Sequence, residues 1–272
     1  MSVINSLIQK AGLWTPDGVN LELYRHGGIR LFGNRRHDAL YNVHTTAKWP
    51  IGTRWQLGDR TFFFCLAAAD LLAGSLCQTA ANGGATTAQQ DCTISTAGAA
   101  GSKKVSVTIK TDTLLGNQFR NGLLIVSDGS AAQGCGQSFR IKSHLAGAGN
   151  VVFNLYDKIP VIINSTGGKA TIMANKYYKL IIAPATTATG APAGVPIVKI
   201  PDANYGWLQT WGPCGVLATN AGITIGKPVV VGLIAGAIKI QPTAAEDECP
   251  VGDVLVAGDA TDHVIIDLKL AA

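Results

Sequence analysis

Short apolar runs of four to seven residues recur along most of this chain, and almost every gap between them holds Gly, Asn, Asp or Pro. In VSVTIK, Val105, Val107 and Ile109 alternate with Ser106, Thr108 and Lys110. That two-residue period fits a strand with one buried and one wet face. GLLIV, SFRIK, VVFNLY, PVIIN and YKLIIAP follow at intervals of about a dozen residues, the rhythm of a sandwich or barrel. A second series runs PIVKI, GWLQTW, CGVLA, PVVVG, AIKIQ, DVLVAG and HVIIDLKL. In its last member Val264, Ile266, Leu268 and Leu270 share a face while Asp267 and Lys269 look outward. The one helical stripe is Val3, Ile4, Leu7 and Ile8, with Ser2 placed to cap it and Gly12 to end it. Ten residues are too few to hold a helix alone in water, so the stripe must dock on something. The chain is expected to be mainly β.

Two stretches poor in apolar residues, 80–102 and 184–195, read as linkers. They divide the chain into an N-terminal arm with a short helix (1–51), a discontinuous β-barrel or sandwich domain (52–99 and 196–272) and an inserted β domain (100–195). Within the discontinuous domain, Gly58-Asp59 stands between RWQL and RTFFFC as a hairpin turn, and ADLLAGSLCQTA turns at Ala73-Gly74. At 272 residues the chain can hide roughly three quarters of its unfolded surface without a metal or disulfide staple.

Only 14% of residues are charged, which favours a subunit packed among neighbours. Residues 1–60 hold eight Lys or Arg against four acids, a net of +4; the other 212 hold fourteen against thirteen, a net of +1. This basic front and acidic tail suit head-to-tail contact between copies, or docking of the front on an acidic neighbour. Nucleic-acid binding normally needs denser positive charge and is not expected. The first ten residues, MSVINSLIQK, lack a basic n-region and a long apolar run, so no secretory signal is expected. No run of 18 apolar residues offers a membrane span. The six cysteines form no CxxC pair, and free thiols are the default for cytosolic synthesis.

Templates for catalysis find no match. SDGSAAQGCGQSF lacks the Lys-Ser/Thr of a phosphate-binding loop, and there is neither a GxSxG elbow nor an HExxH helix. His37 and His44 read as arm or interface residues, and Glu246-Asp247-Glu248 as a solvated turn. No catalytic residue, metal or cofactor is expected.

The stretch YGWLQTWGPCGVLA places Tyr205, Trp207 and Trp211 at near-alternate positions. With no arginine beside them, the three rings read as barrel core and not as a stacking platform. Leu208 and Thr210 would take the other face, Gly206 would permit close approach, and Pro213 would end the strand.

The order of these pieces resembles the β-barrel capsid cement, or decoration, proteins of tailed bacteriophages. Those proteins pair an aG-x-l strand with a G-x-x-x-x-G-x-x-x-v hairpin, a G-x-p-v strand and an iG-x-a strand before the last strand. The matching pieces here are Ala73-Gly74, Gly206 with Gly212, Gly226-Lys227-Pro228-Val229, and Val251-Gly252 followed by residues 264–270. They cover residues 52–80 and 200–272, about a third of the chain; the insert and the basic arm depart from the family pattern. The resemblance implies that these two segments close one barrel. It further implies a non-enzymatic virion protein on the capsid exterior, made in the host cytoplasm. The partners it implies are the major capsid protein and further copies in a homotrimer. The contact arm would present Leu7, Ile8, Arg25, Arg30, Arg35 and Arg36. The alternative is a head-fibre or tail-tip module that binds a receptor or glycan through exposed rings around Phe119, Phe139, Tyr177 and Tyr178.

Overall fold

The computed structural model describes residues 40–80, 88–110, 113–128, 134–185, 189–219, 223–242, 249–259 and 261–272, together with the backbone of 20–23 and 29–32. The fold is almost entirely β and falls into two compact units, residues 1–23, 29–80 and 177–272 in one, and 24–28 and 81–176 in the other.

The outer unit is built on one long sheet. Its strands are β1 (Asn20–Leu23), β2 (Ile29–Phe32), β3 (Arg54–Leu57), β4 (Arg60–Leu66), β5 (Cys77–Gln78), β12 (Ile181–Ile182), β13 (Pro192–Pro196), β14 (Tyr205–Leu217), β15 (Pro228–Val231), β16 (Ile238–Ile240), β17 (Gly252–Val256) and β18 (His263–Lys269). They run in the order β1-β2-β3-β4-β14-β18-β17-β15-β16, with β13, β5 and β12 branching from β14, and the sheet curls as a half-barrel. The hairpin expected at Gly58-Asp59 joins β3 to β4, with Leu57 opposite Arg60 and Gly58 at a φ of 60° that only glycine adopts freely.

The insert supplies the remaining six strands: β6 (Ala88–Thr96), β7 (Lys104–Thr108), β8 (Leu123–Asp128), β9 (Ser138–His144), β10 (Asn150–Leu155) and β11 (Lys169–Met173). They close a barrel in the order β10-β7-β6-β11-β8-β9, every neighbour antiparallel. Val105, Val107 and Ile109 point inward as their spacing requires, beside Phe119, Phe139 and Phe153. The closed ring therefore lies in the insert, whose limits are 81 and 176 where the composition suggested 100 and 195. β6 explains the shift. Its sequence, AQQDCTIST, alternates weakly in hydropathy, yet Gln89, Cys92 and Ile94 are buried inside the ring.

The stretch expected to be an extended arm is in part sheet. β1 and β2 pair antiparallel, and β2 runs parallel to β3 with Arg30 opposite Arg54. Leu40 is buried and Trp49 packs against the same cluster, so this stretch contributes side chains to the core. The helix expected over 2–11 lies outside the described residues.

β14 organises the outer unit. Residues 205–211 pair with β4, while 211–217 pair with β18. Between the two halves the register with β4 slips: Gln209 faces Phe62 and Trp211 faces Thr61, leaving Thr210 as an extra residue. This bulge corrects two expectations. Parity changes across it, so Trp207 is wholly buried while Trp211 turns outward and is 36% exposed. Pro213 does not end the strand: it pairs with Asp267 on β18, past the last residue of β14 that pairs with β4, where a missing N–H costs no ladder bond. Leu208 and Thr210 are buried too, so this stretch is covered on both faces. Gly206 lies against Ile200, whose Cδ1 would be 2.6 Å from an added Cβ, as the close-approach reading requires.

Replacing the two tryptophans by alanine separates their roles. Trp207→Ala should cost about 3–5 kcal/mol in denaturant unfolding, and Trp211→Ala about 1 kcal/mol or less. Equal losses would contradict the parity change.

Candidate functional site

Trp207 is the hub of an aromatic cluster that β3, β4 and β14 assemble from alternate positions. Its ring lies 5.2 Å from Trp55, 5.2 Å from Phe64 and 5.3 Å from Trp49, in tilted or edge-on contacts. Tyr205, half-buried, stacks on Phe64 at 5.9 Å. His44 pairs its backbone with Tyr205 and sets its ring 5.8 Å from Trp49. Each such ring pair adds roughly 0.5–1.5 kcal/mol beyond the area it buries. The indole N–H groups of Trp55 and Trp207 and Nε2 of His44 are buried without a hydrogen-bond partner among the described residues. Packing, not polar recognition, holds this cluster together.

Beside it sits a polar device that the sequence reading did not single out. Gln209 is fully buried. Its amide N–H2 donates to the carbonyls of Trp211, Gly212 and Pro213 at 3.0, 3.2 and 2.8 Å. Arg60 donates to its Oε1 from Nε at 3.0 Å and Nη2 at 2.6 Å, with its guanidinium 4.8 Å from the Phe62 ring centre. The two amide hydrogens are thus shared among three successive carbonyls just past the bulge. A glutamine inside an apolar strand, two residues before Trp-Gly-Pro, was the available signal.

Burial holds the interior thiols and His144 in their neutral forms. Burial pushes the Cys65 and Cys214 thiols up to about 12, and Cys77 rises well above its ordinary value for the same reason. Cys65 and Cys77 share one core as free thiols. In the insert, His144 accepts a hydrogen bond at Nε2 from the Phe119 N–H at 3.0 Å, so Nδ1 carries the proton and donates to the Leu145 carbonyl at 2.9 Å. Burial lowers its pKa below 6.5 and keeps it neutral. Among the described residues, no three of His, Cys, Asp and Glu come together as a metal would require.

The structure does not gather the predicted site residues into one place. Leu7, Ile8, Arg25, Arg35 and Arg36 lie outside the described residues, and Arg30 is placed by its backbone on β2. Of the three rings, Trp207 is central, Tyr205 peripheral and Trp211 outside the core. The exposed aromatic platform of the receptor-binding alternative does not form: Phe119, Phe139 and Tyr177 are buried, and Tyr177 belongs to the outer unit. No protein-family model matches the chain, and no curated protein or solved structure matches it either.

Two measurements test these assignments. Gln209→Leu leaves three carbonyls and the Arg60 guanidinium without their partner, and should lower unfolding stability by about 2 kcal/mol or more. His144 should make the stability of the insert pH-dependent. Its folded pKa lies below the unfolded value of 6.5, so its contribution is complete above that pH and is lost as pH falls below it. Thermal melts from neutral to mildly acidic pH should show that loss, and His144→Gln, which can still accept from Phe119, should flatten it.

Proposed function

We propose that this chain is a non-enzymatic virion structural protein that binds the exterior of a phage capsid and reinforces it. Its partners would be the major capsid protein and further copies of itself in a homotrimer. The observation that carries the reading is spatial. The pieces on which the resemblance rests, at 73–74, 206–212, 226–229, 251–252 and 264–270, are dispersed in sequence but all belong to the outer unit. Most of them lie on or beside the connected strands β14, β18, β17 and β15. The sparse charge and the buried, neutral thiols fit a molecule that acts through shape. Reinforcement then comes from avidity: each docked segment contributes little, but contacts repeated over a shell act as linked sites at high effective concentration.

The segment upstream of β1 is the natural contact arm, because β1 and β2 are already committed to the sheet. Removing residues 1–19 spares both strands. Co-sedimentation with emptied heads should then be lost while the thermal melt is kept. Undiminished binding by the shortened chain would argue against capsid attachment through the arm.

A further inference from the structure

Counted by folded unit, the charge is distributed unlike the linear sequence. Residues 81–176 hold nine Lys or Arg, four Asp and no Glu, a net of +5; Arg25, in the 24–28 segment of the same unit, makes it +6, and the other unit holds twelve cations and thirteen acids, a net of −1. The entire excess sits in the inserted barrel. Strand register concentrates much of it on one face. Lys104 on β7 lies opposite Asn154 on β10, and Asn154 lies opposite Ser143 on β9. Lys142 is the extra residue at the irregularity between these strands. One step further along, Lys103 Nζ donates to the Tyr156 carbonyl at 2.6 Å, and the Tyr156 N–H donates to the Arg140 carbonyl at 3.1 Å. Lys158 follows where the chain runs back beside Ser102. All five cations are exposed, and none makes an ion pair among the described residues. Asp157 is the one carboxylate in the same stretch. Val152, 47% exposed, shares the outer face of β10 with Asn154.

We propose that this basic face is a docking surface for the acidic face of the outer unit of a second copy. The complement lies in the same sequence. Residues 240–268 carry seven acids and no Lys or Arg. Asp253 and Asp267 are opposite each other on β17 and β18, with Lys269 ion-paired to both. Asp259 and Asp262 are exposed in the turn that joins those strands, where the Asp262 N–H donates to the Asp259 carbonyl. Exposed apolar side chains border these acids: Ile265 opposite Val256, Leu255 at the bulge between Val254 and Val256, and Trp211 opposite Lys269. A cationic face with an apolar element thus matches an anionic face with an apolar element. Single-stranded nucleic acid suits the basic face less well, because its binding relies on stacked rings and only the half-buried Tyr156 is present. The contact joins two different faces, so it is heterologous and propagates head to tail until it closes into a ring or extends. It does not rest on the capsid reading, and it is tested on the isolated protein.

Sedimentation of the full chain should show concentration-dependent association at about 0.05 M salt that disappears at about 0.5 M, where the screening length falls to a few ångströms. A chain carrying Lys104→Glu, Arg140→Glu and Lys142→Glu should associate more weakly by on the order of a hundredfold, and so should one carrying Asp259→Lys and Asp262→Lys. All five positions are exposed, and unchanged thermal melts verify that each variant folds. Mixing the two variants should restore association between the reversed faces. A parent chain that stays monomeric at low salt, or variants that associate as the parent does, would overturn the proposal. So would a monomer that captures a single-stranded oligonucleotide, since that result gives the face to a foreign polyanion.

Discussion

The outer unit depends on β14 changing partners without leaving the sheet. Its first half shares hydrogen bonds with β4 and β13, its second half with β18, and one extra residue, Thr210, makes the exchange possible. An insertion of this kind disturbs the ladder next to a stretch buried on both faces, where an unmet acceptor would cost about 1–3 kcal/mol. Gln209 shares its two amide hydrogens among three carbonyls just past the bulge, while Arg60 holds the amide oxygen with two charge-assisted bonds. The Thr210 hydroxyl donates to the Ala271 carbonyl at 2.5 Å, tying the end of the chain to the same point. On the N-terminal side of the bulge the strand feeds the aromatic cluster around Trp207; on the other, Cys214 and Val216 feed an aliphatic core with Val254, Val264 and Ile266. Two chemically different cores share one strand because the bulge reverses which side chains face inward.

The two units deal with sheet edges differently. The insert has none, since its six strands close on themselves and every strand has two neighbours. The outer sheet is open, and its terminal strands are short, four residues in β1 and three in β16. Short edges limit pairing with foreign strands, which matters for a surface with few charges. The parallel β2–β3 pairing follows from the same geometry: the chain from β2 must travel through residues 40–51 before β3, which leaves room for Leu40 and Trp49 to reach the aromatic core on the way.

Strand periodicity was the legible part of the sequence. Val105, Val107 and Ile109, and later Val264, Ile266 and Leu268, are buried as their spacing requires, because one residue per step alternates faithfully in a regular ladder. Trp211 was misread for the same reason. Parity holds only while no residue is added, and the addition at Thr210 is marked in sequence by nothing stronger than the Gly212-Pro213 that follows. The boundaries of the insert were hidden by composition. β6 contributes Gln89 and Cys92 to the interior of the ring, so a strand that closes a barrel resembled a polar linker. The strands at 20–23 and 29–32 were missed because four residues show too little of any period, and partners far along the chain decide such segments.

Electrostatics shows most clearly why the folded unit, and not the position in sequence, is the right basis for counting. Read linearly, the chain has a basic front and an acidic tail, which suggests a molecule polarised from end to end. Folding places β2 and β3 of the front and β17 and β18 of the tail in one sheet, so their charges sum close to zero within one unit while the acids stay gathered on β17, β18 and the turn between them. What carries the net charge is a segment that looks unremarkable in a linear scan because its nine cations are spread over 96 residues. Closing those residues into a ring sends the alternate, apolar positions inward and leaves Lys103, Lys104, Arg140, Lys142 and Lys158 exposed. Register between β7, β10 and β9 then brings cations from distant parts of the sequence onto neighbouring strands. The net charge of the chain is therefore, in effect, a property of the inserted barrel.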